Sequence, residues 1–375
     1  MVDYSFDHHF GHSTPSYLPR ALLYDYIVGR AITDDIRHYI RFLTAVRWIS
    51  FDEQSNTFRV TVEDLRNSKT EYFEFDNVVV ASGHFSVPNI PLFDGIINFP
   101  GRVMHAHDFR DASDFSGKRL LLIGAGPSAE DIGIQCYKFG ARSITISYRS
   151  AALGYKWPKG ICEVPLLQRV NGQTAHFRDG SSVEIDAIIF CTGYRHNHSF
   201  MAEPLRLRCS RNSLYPERLY KGVFWLDNPR LAYLGMQDQN YTLNMFDVQG
   251  ALVRDFIFGQ DRLRPSSDTI GRQRDVDIWL HREAVLPVSP TPGYIEVGID
   301  FQADYIKDLL AHCNESNAPT FDVDAIAEIF KQFLRDKKNS FLTYRDQIFV
   351  STITGKWSLA PSVPWMKVMD DSIEV

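Results

Sequence analysis

Apolar and polar positions follow one grammar twice along this chain. Thr57-Phe58-Arg59-Val60-Thr61-Val62 alternates, a polar turn follows at Asn67-Ser68, and Tyr72-Phe73-Glu74-Phe75 alternates again. With Ile40-Arg41-Phe42 and Val46–Phe51 ahead of them, these segments predict a meander of antiparallel strands over residues 39–80. Val78-Val79-Val80-Ala81 is then apolar without a break, the pattern of a buried parallel strand, and it stops at Ser82-Gly83-His84. The sequence repeats this order further on. Thr174–Phe177, a turn at Asp179-Gly180 and Val183–Ile185 predict a second meander. Ala187-Ile188-Ile189-Phe190 predicts a second buried strand, ending at Cys191-Thr192-Gly193-Tyr194. An aspartate, Asp76 or Asp186, precedes each apolar run, and no solenoid-like period of 20–50 residues is present.

Between the two halves lies Arg119-Leu120-Leu121-Leu122-Ile123-Gly124-Ala125-Gly126-Pro127-Ser128-Ala129-Glu130-Asp131-Ile132. It reads as a buried strand, a tight turn and a helix start. Gly124, Gly126 and Ala129 fit the spacing of a dinucleotide fingerprint: a tight turn, a close approach to pyrophosphate, and a small residue where helix meets strand. Ala129, Ile132, Gly133, Cys136 and Phe139 recur at helical spacing, and Gly140 suits the helix end. Ser143–Ser147 is the next strand, ending at Tyr148-Arg149. An NAD site wants an acidic residue there. Arg149 instead suits a 2′-phosphate and favours NADPH.

Elsewhere a helix is predicted from Arg20 to about Arg30, with Leu22, Leu23, Tyr26 and Ile27 on one face. A strand at Leu231–Gly235 leads through Asp238, Gln239 and Asn240 into a helix carrying Met245, Val248, Leu252 and Phe256. Polar side chains at such a strand end are placed for a planar ring. Residues 270–340 read as charged helices, and the tail from Gly355 as irregular capping structure.

At 375 residues and 44% hydrophobic content the chain can bury a large core. A net charge of −6 with scattered Lys and Arg gives no sign of nucleic-acid binding, and no nucleic-acid partner is expected. Cys136, Cys162, Cys191, Cys209 and Cys313 form no C-x-x-C, so neither a disulfide framework nor a zinc site is indicated, and a cytoplasmic location is expected. No apolar run reaches membrane-spanning length, and no signal-peptide pattern is present. His8 and His9 read as solvated or packed residues, and no metal is expected.

Phe99-x-Gly101-x-x-x-His105-x-x-x-Phe109 is similar to the signature of flavin-containing monooxygenases. Gly124-x-Gly126-x-Ser128-Ala129 sits where that family keeps its NADPH fingerprint, and Cys191-Thr192-Gly193-Tyr194 resembles its later strand-end motif. Gly154-Tyr155-Lys156-Trp157-Pro158, Gly235-Met236-Gln237-Asp238-Gln239 and Asn244-Met245-Phe246-Asp247 resemble its bacterial trimethylamine-oxidising branch. Phe109 stands where the related Baeyer–Villiger signature has Trp. The resemblance implies an α/β architecture of two dinucleotide-binding domains with Rossmann-like parallel sheets and β-meanders. Residues 101–195 would bind NADPH, while 1–100 and 196–375 would belong to the FAD domain. It further implies NADPH, FAD and dioxygen as reactants, a flavin C4a-hydroperoxide, and a small amine or a sulfide as oxygen acceptor. A homodimer is left open. NADP contacts fall on Gly124, Gly126, Pro127, Ser128, Ala129, Glu130, Tyr148, Arg149, Thr192 and Gly193. FAD contacts fall on the Val46 backbone, Gln239 and Thr242. Asp238 and Asn240 are the catalytic candidates, with Asp238 favoured as a flavin-side or capping group. His105 is expected to be structural and Cys191 a buried strand-end residue.

Two departures from the family bear on function. The family's FAD-binding βαβ unit carries its own glycine fingerprint, and none precedes Gly124 here. The resemblance therefore implies a chain that enters the fold partway through the FAD domain, truncated at its N-terminus and without the family's active-site asparagine. Second, Asn240 and Pro127 stand where the trimethylamine enzymes have aromatic residues, whose faces suit a small cation. The alternative reading is a flavin-free or incomplete NADP(H)-binding paralogue. A disulfide reductase of similar build is disfavoured by the lack of C-x-x-C.

Overall fold

The computed structural model describes all residues except 2, 209–212, 239, 261–262, 264–268, 288–293 and 369–375. The chain opens with a short helix α1 (Phe6–Phe10), where Ser5 Oγ accepts the His8 N–H at 3.1 Å. Helix α2 (Arg20–Thr33) runs a turn further than its sequence pattern predicts. Tyr26 is fully buried, but Ile27, expected on the same face, is 44% exposed.

Strands β1 (Thr44–Asp52), β2 (Thr57–Asp64) and β3 (Lys69–Phe75) form the first antiparallel meander. Ile40–Phe42 does not open it. Leu43, at φ 54°, turns the chain ahead of β1 and leaves Ile40 and Phe42 exposed. β4 (Val78–Val80) is parallel, as its run of valines predicts, but it is the edge of its sheet and only Val80 is buried.

After β5 (Val87–Pro88) come β6 (Arg102–His105), β7 (Arg119–Ile123), α3 (Pro127–Lys138), β8 (Ser143–Ser147) and β9 (Ile161–Val164). The second meander, β10 (Leu167–Asn171), β11 (Thr174–Phe177) and β12 (Ser182–Glu184), precedes β13 (Ala187–Phe190). The parallel sheet has the order β6-β13-β7-β8-β9. β7 is apolar from Leu120 to Ile123 because both its faces are covered. Leu121 and Ile123 pack against Leu167, Val170 and Phe177 of the meander. Leu120 and Leu122 pack with Ala129 and Ile132 of α3.

The chain leaves through β14 (Tyr194–Arg195), which pairs antiparallel with β5. The two crossings between sheets are thus bonded to each other. β15 (Leu219–Tyr220), β16 (Phe224–Trp225) and β17 (Leu231–Tyr233) complete a four-stranded sheet in which β17 runs parallel to β4. Helices α4 (Thr242–Ile257), α5 (Thr269–Ala284), α6 (Tyr294–His312) and α7 (Val323–Asn339) pack around it, with Met245, Val248, Leu252, Trp279 and Ile306 at the centre of that core. Among the described residues no helix is long and apolar enough to cross a membrane.

Candidate active site

The centre of the parallel sheet ends level. Ile123 pairs with Ser147 on one side and Phe190 on the other, so Gly124, Tyr148 and Cys191 leave one sheet edge together. Gly124 N–H donates to Ser147 O at 2.8 Å, and Cys191 N–H to Ile123 O at 2.8 Å. Gly124 sits at φ 111°, and a Cβ there would overlap the Cys191 carbonyl. Glycine is therefore required by the turn itself. Gly126 differs: at φ −127° any residue fits the backbone, and a Cβ would meet nothing. Its value is the open room above it.

Helix α3 starts at that room. Gly126 is its N-cap and offers no side-chain cap; Pro127 is the first helical residue. Ala129 and Glu130 N–H both donate back to Gly126 O, at 2.9 and 3.1 Å, and buried Ala129 lets helix and strand approach closely. The N-terminal N–H groups and positive dipole end suit an anion. Arg149 projects from the adjoining strand end, exposed, and no side chain among the described residues pairs with it. The edge thus fits a dinucleotide pyrophosphate with a 2′-phosphate nearby. Thr192 and Gly193 frame it: the Thr192 hydroxyl donates to Asn89 O, and Gly193 O accepts Asn89 N–H at 2.9 Å. The carboxylate of Glu130 is turned inward, accepting from Tyr155 OH at 2.7 Å and pairing with the Lys337 ammonium.

Of the signature residues around β6, His105 ends level with Phe190 and reaches this edge, whereas Phe99 and Gly101 precede the strand at the opposite end of the sheet. A Cβ on Gly101 would overlap Asp186 O and the Phe99 ring. His105 Nδ1 accepts the His107 N–H at 3.0 Å, which leaves Nε2–H to donate to Gly193 O at 3.0 Å. Burial lowers the His105 pKa, so the neutral ring is favoured. Phe109 stacks on Phe115 with centroids 6.0 Å apart. Cys191 is buried and its thiol pKa is pushed far upward by desolvation, which fits a packing residue.

The second group of predicted residues gathers at the start of α4. Gln239 lies outside the described residues. Asp238 is exposed, and Asn240 is half-buried. Gln302, fully buried on α6, holds this loop from below: its amide donates to Asp238 O and accepts Asn240 N–H at 2.7 Å. Thr242 is the first residue of α4, whose N-cap Tyr241 makes no side-chain cap bond. A cavity of about 610 Å³ opens here, lined by Asn240 to Asn244 and by Phe6, Tyr17, Phe330, Phe349 and Trp357. Val46 does not line it; it stands 43% exposed on β1, beside a register shift in the meander. The cavity's aromatic walls and the uncapped α4 terminus fit a planar ring and a small amine. Gln302 and the aromatic lining were not found from sequence, since they come from segments that read as ordinary packing. Among the described residues no cluster of metal-ligating side chains exists. His9 is occupied by Tyr4 OH at 2.8 Å and Asp25 at 3.0 Å.

The model of the "Flavin-binding monooxygenase-like" family matches residues 1–157 and 159–279. A trimethylamine monooxygenase of Methylocella silvestris is 50% identical over 374 residues, covering 100% of this chain and 80% of that protein. The crystal structure of Tmm from Pelagibacter sp. strain HTCC7211 superposes with a TM-score of 0.93 at 43% identity, covering 100% of this chain and 81% of that one. The S-allyl-L-cysteine S-oxygenase of Allium sativum shares the fold, with a TM-score of 0.72 at 21% identity over 87% of this chain and 73% of that one.

Proposed function

Because this chain belongs to the flavin-binding monooxygenase-like family, we propose that it oxygenates a small amine, trimethylamine first, or a sulfide, using NADPH, FAD and dioxygen. In this reading residues 101–195 hold NADPH, residues 1–100 and 196–375 contribute to the FAD side, and the enzyme works in the cytoplasm. FAD and NADPH supply the redox chemistry that activates dioxygen; the protein's task is orientation, electrostatics and exclusion of water.

The turn between Gly124 and Ala129 would receive the pyrophosphate on its remaining backbone N–H groups, and Arg149 takes the 2′-phosphate in charge-assisted hydrogen bonds. Gln302 holds the Asp238–Asn240 loop at fixed height beside the cavity. The start of α4 offers unpaired backbone donors to a ring carbonyl. Phe6, Tyr17, Phe330 and Trp357 present aromatic faces to a small cation. No acid–base triad is required, because the acceptor is itself the nucleophile.

The observation that carries the proposal is the level strand edge with its open Gly126 and unpartnered Arg149. Replacing Arg149 by Gln should lower the NADPH-over-NADH preference by about tenfold to a hundredfold, the scale of one or two charge-assisted hydrogen bonds. Amine-stimulated NADPH oxidation and N-oxide formation, followed by mass spectrometry, measure both the preference and the activity. An unchanged preference would reject the Arg149 assignment, and an absence of N-oxide or S-oxide product from any amine or sulfide would reject the function.

A further inference from the structure

Glu130 is the fourth residue of the fingerprint helix and only 4% exposed, a carboxylate buried in the first turn of α3. Before any ligand arrives, a negative charge there suits the helix dipole. Once a pyrophosphate sits at the same helix end, that charge opposes it, and the buried setting screens the opposition poorly. The structure supplies a cation from the far end of the chain. Lys337, in the last turn of α7, places its ammonium on Glu130, 207 positions away in sequence. Its side chain is 12% exposed, against 6% for that of Glu130. Three rings enclose the ammonium: Tyr155 and Phe333 at 5.7 Å and Tyr344 at 5.9 Å. Tyr155 OH donates to the other carboxylate oxygen at 2.7 Å. The same helix, α7, lines the aromatic cavity with Ile326, Ile329, Phe330 and Phe333.

We propose that Lys337 is a positioning residue for the nicotinamide dinucleotide: it neutralises Glu130, so that the first turn of α3 presents net positive potential to the pyrophosphate. This rests on the proposed dinucleotide site. A tie that served only to dock α7 would leave cofactor affinity indifferent to the sign of the charge at Glu130. An electrostatic role makes affinity depend on it.

The test is calorimetric titration of the protein with NADP⁺, alongside thermal melting. In K337M the bare carboxylate should raise the NADP⁺ Kd by about tenfold, more at low salt than at high salt. In E130Q/K337M, where neither charge remains, affinity should return to within about threefold of the unaltered protein. E130Q alone, which keeps the cation, should bind NADP⁺ at least as tightly as the unaltered protein. A double variant as weak as K337M, or an E130Q protein that binds more weakly, overturns the proposal and leaves a docking tie. If K337M does not fold, the E130Q titration decides. Failure of the unaltered protein to bind NADP⁺ at all would instead reject the dinucleotide site itself.

Discussion

At Gly124 the backbone stands at φ 111° and a side chain would strike the Cys191 carbonyl, whereas at Gly126 a side chain would meet only open space. The two glycines therefore fail differently. Gly126→Ala should leave thermal stability unchanged within about 1 kcal/mol, because its φ of −127° suits any residue. It should weaken NADP⁺ binding at least tenfold, because the methyl group occupies the pyrophosphate's approach. Parallel melting and NADP⁺ titration check this; retained affinity would mean that the room is not the ligand's. That Gly124 makes a turn and that Arg149 and His105 stand at strand ends was legible in the sequence, because turn chemistry and strand ends are written locally. Gln302 was not. It reaches Asn240 from 62 positions away, and a single glutamine in a helix carries no pattern.

Elements were legible where one face is buried. The two meanders and their following parallel strands came through, as did β7–α3–β8 and the family resemblance built on them. β4 was misjudged as buried because a valine run cannot tell a sheet's centre from its edge. The two-residue strands β5 and β14 left no trace, since pairing that short depends on the partner alone. The tie between α4 and the loops of the four-stranded sheet was also invisible. It is a buried amide chain: Gly235 N–H donates to Gln249 Oε1 at 2.8 Å, Gln249 Nε2 to Gln237 Oε1 at 3.0 Å, and Gln237 Nε2 to Gly222 O at 2.8 Å. Gln249→Leu keeps the volume but strands the Gly235 N–H and the Gln237 oxygen. A loss of about 2–4 kcal/mol is expected in denaturant melts, and a loss below about 1 kcal/mol would show that the chain is dispensable.

Across the whole molecule the two crossings bring histidines together. His84 follows β4, is 2% exposed, and stacks on His196 after β14, with centroids 4.5 Å apart and planes at 13°. Among the described residues neither ring nitrogen of His84 has a hydrogen-bond partner. Burial, with His196 and His198 adding, lowers its pKa to about 4. His105 and His198 are lowered as well, chiefly by burial. The unfolded chain binds protons on these rings near pH 6.5, and the folded chain resists them. The stability these rings contribute is therefore expected to be fully present above about pH 6.5 and to be lost as pH drops toward 4, with His84 accounting for on the order of 3 kcal/mol. His84→Leu should flatten the slope of Tm against pH in that window. An unchanged slope would place the acid sensitivity elsewhere.

The bond between β5 and β14 also bears on how the chain finds this fold. β4 and β17 must pair although Val80 and Tyr233 lie about 150 residues apart. When β5 and β14 zip together, the stretch between Pro88 and Tyr194 is pinched off, and the loop left to close is only about 45 residues. Loop-closure entropy then eases by about 1 kcal/mol. The interrupted sheet would thus gain if the inserted unit folded first and drew its own ends together, since its host would be left only a short loop to close.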